Sequence, residues 1–357
     1  MALHVSVVGA TGAVGRKLIS LLDQSRLPVS RISPVASARS AGQVLVTERI
    51  PIAPIAAIES FSFTGADIAF FSAGAEVSRR FAPRAAAEGC LVIDNSSAFR
   101  DQADIPLAVP EVNPEVLRQR PDRGIVANPN CSTIQLVRGV APLHAAFGLT
   151  RIVVSTYQAA SGGGLRGITE LASDSAEALR EHPGPVAHPD DGEGRFGMRL
   201  AFNLVPQIGA LDDWGAAHEE RKLRYETRKI LRHPSLRIDA TAVRVGVFNC
   251  HSEAVLAEFD RVVEAAAAWR VLDAAHDLML YRPDGWPPYP TPLTVQQAPS
   301  TNGHVHVGRV RGDPENPRQI SLWIVADNLM VGAALNALRI AEQAVTNGWL
   351  DAVTARA

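Results

Sequence analysis

The chain has 357 residues, 46% hydrophobic and 20% charged, with 27 glycines and 24 prolines, an ordinary globular composition long enough for two domains. Its Lys+Arg total of 35 against 37 Asp+Glu leaves a formal charge of -2, which excludes the basic footprint that nucleic-acid backbones require. Three widely spaced cysteines, Cys90, Cys131 and Cys250, exclude a disulfide framework and a CxxC metal or redox site, so no metal is expected and a reducing compartment fits. The N-terminus lacks a signal-peptide pattern and no apolar run reaches the length of a membrane span, which reads as a cytoplasmic protein without a membrane partner.

In chain order, residues 3–9 read as a strand, a glycine-punctuated turn follows, and residues 16–22 have helical spacing. Apolar strands at 31–36, 67–71 and 91–94, separated by helical stretches such as 76–88, predict an α/β domain with a doubly wound, Rossmann-type parallel sheet. The architecture changes near residue 130. A helix follows Cys131, and strands at 151–157, 240–248 and 320–326 with longer loops predict a second, α+β domain. Residues 283–299 carry six prolines and read as a long ordered loop or arm, and 328–348 as a helix. The domains are drawn at 1–130, completed by a C-terminal helix over 328–357, and 131–327.

Between the first strand and helix stand Gly9, Thr11, Gly12, Ala13, Val14 and Gly15, small residues that let backbone N–H groups approach a pyrophosphate at a helix start. In that context nucleotide binding is preferred over a plain turn. The second strand ends near residue 36 without the acidic residue that accepts from NAD ribose hydroxyls. Ser37, Arg39 and Ser40 stand there instead and suit a 2'-phosphate, so NADP is preferred over NAD.

Cys131, in the run NPNCST, falls at a helix start, an environment that lowers a thiol pKa. Nucleophile and buried filler are both open readings on spacing alone, whereas Cys90 reads as filler. A thiol nucleophile needs a proton acceptor, and His251, just beyond the strand-like run ATAVRVGVF, is favoured by position, with Cys250 beside it as a rival nucleophile. His182, His188, His218 and His233 lie in polar, loop-like contexts that read as solvent-facing. Glu219 and Lys222 are three apart on one helical face, which by spacing alone is best read as a solvated salt bridge.

These blocks, together with SARSAG, IDNSSAFR, VPEVNPE, TYQAASGGG, FNLVPQIG, ETRKIL, YPTPL and VADNL, resemble the aspartate-semialdehyde dehydrogenase family essentially end to end. The resemblance implies Cys131 as acyl-accepting nucleophile, His251 as acid-base catalyst and Gln158 as the group orienting the reacting carbonyl. It implies Arg244, seven residues before His251 on one strand, as a carboxylate clamp, Glu219 on the substrate ammonium, Lys222 and Arg100 on phosphate, and Asn130 among the substrate contacts. Ser161 and Gly162 join the cofactor contacts, and Asn328 meets the nicotinamide amide. Two departures, SGGG for the commoner SGAG and Met330-Val331 after DNL, are read as packing changes.

The implied reaction is the NADP-linked conversion of L-aspartyl 4-phosphate to the semialdehyde and inorganic phosphate by a homodimer, in lysine/diaminopimelate, methionine and threonine biosynthesis. Three alternatives fit these residues less well. N-acetyl-gamma-glutamyl-phosphate reductase typically has NPGC in place of NPNC, and a silent paralogue usually loses the cysteine. A short-chain dehydrogenase reading of Tyr225 and Lys229 leaves Cys131, Gln158 and His251 unused.

Overall fold

The computed structural model describes residues 2–180, 194–297 and 303–350, so His182 and His188 and positions 298–299 and 351–357 lie outside the described residues. The chain divides into two compact units, 1–130 with 332–357, and 131–331.

The first unit runs β1 (Leu3–Val8), α1 (Ala13–Gln24), β2 (Val29–Ala36), β3 (Ala56–Ala57), β4 (Ile68–Phe71), α2 (Ala75–Ala87), β5 (Leu91–Asp94) and β6 (Ile125–Ala127). All six strands pair in parallel, in the order β3-β2-β1-β4-β5-β6. Every residue of β4 and β5 is buried, the near-continuous apolar pattern of strands covered on both faces. Strand order reverses beside β1, so the glycine turn that ends β1 occupies the switch point of an open parallel sheet, where such sheets hold ligands.

The second unit contains α3 (Cys131–Phe147), β7 (Leu149–Gln158), α4 (Gly164–Arg180), β8 (Leu204–Val205), α5 (His218–Ile230), β9 (Arg237–Val245), β10 (His251–Phe259), α6 (Ala265–Asp273), β11 (Leu278–Tyr281), α7 (Pro292–Gln297), β12 (Val305–Gly312) and β13 (Gln319–Ala326). Its mixed sheet has the order β11-β12-β13-β10-β7-β9-β8. Helix α3 lies close on this sheet because Gly139 has no side chain. A Cβ there would stand 2.5 Å from Ile324 Cδ1.

Four expectations need correction. The strand drawn over 240–248 ends at Val245, and His251 opens the next strand, so Arg244 and His251 are on different strands with β7 between them in the sheet. Within the proline-rich segment, 292–297 forms α7, because a proline at the first helical position gives up only an N–H that has no helical partner there. At the C-terminal end, Asp327 Oδ1 accepts from the Leu329 and Met330 N–H groups, a π-turn covers Met330–Ala334, and regular α8 (Leu335–Thr346) starts only afterwards. Chain packing passes from the second unit to the first at 331–332, which leaves Asn328 in the second. His233 is half-buried rather than free in solvent. Its Nε2 pairs with the Leu149 carbonyl at 3.0 Å and its ring stacks on His144, while His218 is exposed at the start of α5.

Candidate functional site

The glycine turn of the first unit is shaped by close backbone approach. Gly9 has φ 88°, and a Cβ there would stand 2.5 Å from the Ser72 carbonyl oxygen. A Cβ on Gly15 would stand 2.2 Å from the Gly9 carbonyl oxygen. Gly12 caps α1 with no side-chain hydrogen bond, and no acidic residue occupies the first turn. Thr11, Gly12, Ala13 and Val14 therefore surround an N-terminus whose partial positive charge has no side-chain counterpart, a donor set that fits a nucleotide phosphate.

After β2, Ser37 caps a single 3-10 turn over Ala38–Ser40 that holds Arg39 exposed to solvent and Ser40 half-buried. Arg100 is buried in the same unit, donating to the Asn95 carbonyl at 2.8 Å. Beside it the buried Asp94 carboxylate accepts from Ser78 and Ser96 hydroxyls at 2.7 Å. Burial raises its pKa and the Arg100 charge opposes that.

In the second unit the ends of three strands carry the polar cluster. Gln158 and Arg244 are register partners at the carboxyl ends of β7 and β9, and His251 opens β10 on the other side of β7. Gln158 accepts from Thr156 Oγ1 at 3.0 Å and donates to Glu219 at 3.1 Å, and Lys222 donates to the second Glu219 oxygen at 3.1 Å. The Glu219–Lys222 ion pair thus exists, yet Glu219 is buried and tied to Gln158 rather than lying on a solvated face.

Arg244 is buried, donates to the Ala159 carbonyl at 2.8 Å and places its guanidinium 5.5 Å from the Phe196 ring centre. Burial lowers its pKa, while Glu219 and Cys131 act in the opposite sense, so the guanidinium senses the Cys131 sulfur. A Cβ on Gly162 would come within 2.6 Å of Arg244 Nη1 and 3.3 Å of His251 Nε2, so the glycine lets both side chains reach the backbone.

His251 is fully buried and its Nδ1 accepts the Ala159 N–H at 3.0 Å. Its neutral form therefore carries the ring proton on Nε2, which has no hydrogen-bond partner among the described residues. Burial first, and the Arg244 charge second, push its pKa down to about 3, with Glu219 opposing.

The three cysteines differ sharply. Burial pushes Cys90 up to about 12, and its thiol donates to backbone carbonyls. Cys250 is buried and its thiol is pushed up as well, which disfavours it as a nucleophile. Cys131 is half-buried and is the first residue of α3.

Gly9, Thr11, Gly12, Ala13, Val14, Gly15, Ser37, Arg39, Ser40, Arg100 and Asn130 belong to the first unit. Cys131, Gln158, Ser161, Gly162, Glu219, Lys222, Arg244, His251 and Asn328 belong to the second. Sequence reasoning gave no role to Arg195, Phe196 and Gln207, which with Arg244 line a cavity of about 340 Å³. Gln207 lay in the quoted FNLVPQIG block and could have been found there. Glu253, two residues after His251 on β10, was also passed over. It is fully buried beside Gln135, and burial raises its pKa well above the usual carboxylate range. Among the described residues, no group of three or more His, Cys, Asp or Glu side chains is placed to hold a metal, and no helix is long and apolar enough to cross a membrane.

Residues 4–120 match the family model described as semialdehyde dehydrogenase, NAD binding domain, and residues 140–331 the one described as semialdehyde dehydrogenase, dimerisation domain. The chain is 42% identical over 339 residues to aspartate-semialdehyde dehydrogenase of Shewanella violacea, covering 95% of this chain and 96% of that one. It is 40% identical over 348 residues to the enzyme of that name from Aquifex aeolicus, covering 98% and 99%. Among solved structures, aspartate semialdehyde dehydrogenase II of Vibrio cholerae, complexed with ASA, superposes with a TM-score of 0.89 at 40% identity, covering 97% of this chain and 99% of that one. The chain belongs to the aspartate-semialdehyde dehydrogenase family of oxidoreductases.

Proposed function

We propose that the chain is an NADP-dependent, phosphorylating aspartate-semialdehyde dehydrogenase, acting as a cytoplasmic homodimer in the biosynthesis of lysine/diaminopimelate, methionine and threonine. The observation that carries this reading is the cluster in the second unit. A half-buried thiol at a helix start shares a unit with a guanidinium that senses it, a neutral imidazole with a directed Nε2–H, and the Gln158–Glu219–Lys222 chain. The uncapped α1 terminus and the Ser37–Ser40 turn support an NADP phosphate set, and the matched dimerisation model supports the homodimer.

In the reductive direction, Cys131 attacks the acyl carbon of L-aspartyl 4-phosphate, and the tetrahedral adduct expels inorganic phosphate to leave a thioester on the sulfur. The helix start and the Arg244 charge favour the thiolate that attacks. NADPH, when bound, would supply the hydride to the thioester carbon. The resulting tetrahedral oxyanion on Cys131 then collapses with cleavage of the C–S bond, releasing the semialdehyde and returning the Cys131 thiolate. His251, with Nδ1 accepting the Ala159 N–H, stays neutral and donates its Nε2–H to the oxyanion at each tetrahedral stage. Gln158 orients the carbonyl, Arg244 clamps the α-carboxylate, Glu219 takes the ammonium, and Lys222 with Arg100 takes phosphate, with Asn130 beside the nucleophile.

The assay that tests this is phosphate-dependent reduction of NADP with aspartate semialdehyde, run in parallel with NAD and with N-acetylglutamate semialdehyde. Turnover that requires phosphate, prefers NADP and discriminates against the acetylated, longer aldehyde is expected. Turnover with the longer aldehyde alone would assign the related reductase activity, and none with either would assign a silent paralogue.

A further inference from the structure

The loop that precedes His251 is stitched to the segment after β7. Ala160 N–H donates to the Val247 carbonyl at 2.8 Å, Ser161 N–H to the Phe248 carbonyl at 3.0 Å, and Ala159 N–H to His251 Nδ1 at 3.0 Å. Within this loop Cys250 has φ 72°, in the left-handed region that glycine enters freely and L side chains rarely adopt. Its side chain is packed with Val295 of α7 and Val325 of β13.

What holds the strained residue is Asn328. Its Oδ1 accepts the Cys250 N–H and the Ser161 hydroxyl, both at 3.0 Å. A backbone N–H can only donate, so the amide orientation of Asn328 is determined, and only its Nδ2 group is left for a ligand.

We propose that Asn328 is a positioning residue for His251. It holds Cys250 in the left-handed turn that aims the His251 ring at Ala159, a role separate from the nicotinamide contact that the family resemblance implies for its Nδ2 group. The inference rests on the catalytic reading of Cys131 and His251. It also gives α7 a use, since Val295 closes over the strained residue.

The test reads the cofactor-free, full-length protein. Iodoacetamide alkylation of Cys131 is followed at pH 7 by mass spectrometry with peptide mapping, and NADP affinity is measured separately by calorimetry. Asn328→Ala loses the acceptor and should slow alkylation about tenfold, the effect of a lost buried hydrogen bond. Asn328→Asp keeps an acceptor oxygen and should stay within about threefold of wild type, while both variants bind NADP about tenfold more weakly.

Cys250→Gly removes the strain, so Asn328→Ala on that background should alkylate within about threefold of Cys250→Gly alone. This double variant also keeps the test readable where the single one does not fold. Wild-type alkylation rates in Asn328→Ala, equal slowing by Asn328→Asp, or a tenfold loss in the double variant overturns the proposal. Wild-type protein that does not alkylate at Cys131 overturns the catalytic reading instead, and that failure is recognised before any variant is compared.

Discussion

At the scale of single residues, the chemistry divides between a thiol that must ionise and an imidazole that must not. In the proposed mechanism Cys131 serves both acyl transfer and reduction, and an alcohol at that position is too weakly acidic to replace it. Cys131→Ser should therefore lower turnover by several orders of magnitude while NADP binding persists. His251→Asn should be milder, a loss of about 10² to 10⁴, because the helix start and Arg244 still favour the thiolate. Rapid-quench mass spectrometry with aspartyl phosphate, without NADPH, should find the acyl group on Cys131. An adduct on Cys250 would reverse the assignment. Glu253 provides a separate check on the electrostatics behind β10. Its carboxyl is fully buried and its pKa is raised, so the unfolded chain loses this proton at lower pH than the folded one. The stability it contributes is full below the unfolded value of about 4.3 and falls as pH rises toward the folded value. Glu253→Gln carries no such penalty. Its thermal midpoint should exceed that of wild type by a margin that widens from pH 4.5 to pH 8, and a margin independent of pH would show that Glu253 ionises normally.

At the scale of elements, what could be read in advance depended on whether a local pattern carried the information. The strand–glycine turn–helix at 3–24 was legible because small residues, a β-branched run and helical spacing adjoin. The start of α3 at Cys131 was legible because the prolyl turn ends there. The relation of Arg244 to His251 was not. A seven-residue separation looks like one strand unless the turn over Gly246–Cys250 is known, and its positive-φ residue is a cysteine, not the glycine or asparagine that would have marked it. Likewise α7 was hidden in a proline-rich segment, and the cavity beside Arg244 depends on Phe196, which is distant in sequence and gives no periodic signal. The corrected placement makes Arg244 testable as an end-of-strand clamp. Its Nη1 is already committed to the Ala159 carbonyl while its guanidinium carbon lies 5.5 Å from the Phe196 ring centre, a geometry that an ammonium cannot reproduce. Arg244→Lys should reduce kcat/KM for the acyl phosphate about 100-fold or more with the thermal midpoint nearly kept. A parallel loss of midpoint and activity would identify a structural ion-pair residue.

At the scale of the whole molecule, the first unit is discontinuous in sequence, because the chain returns to it after residue 331. Helix α8 buries Leu338, Ile340 and Ala341, and the following Trp349 and Leu350 are buried too. Its polar contacts are as specific as its packing. Asn336 Nδ2 donates to the Ala108 carbonyl at 2.9 Å and to Asn128 Oδ1 at 2.6 Å, Arg339 pairs with Glu111, and Arg120 donates to the Trp349 carbonyl. Asn128 stands three residues before Cys131, so the last helix of the chain fastens the segment that leads to the proposed nucleophile. Asn336→Leu is close in volume but leaves two buried acceptors, the Ala108 carbonyl and Asn128 Oδ1, without this donor. Leaving buried groups unpaired costs about 1–3 kcal/mol each. The variant should lose about that much stability in urea denaturation, and it should lose turnover beyond the unfolded fraction because the NPNC segment is no longer held. Trp349, the one tryptophan in residues 1–130 and 332–357, gives the transition a fluorescence reporter inside this unit. An unchanged urea midpoint with wild-type turnover would show that α8 covers the first unit without organising the residues that precede Cys131.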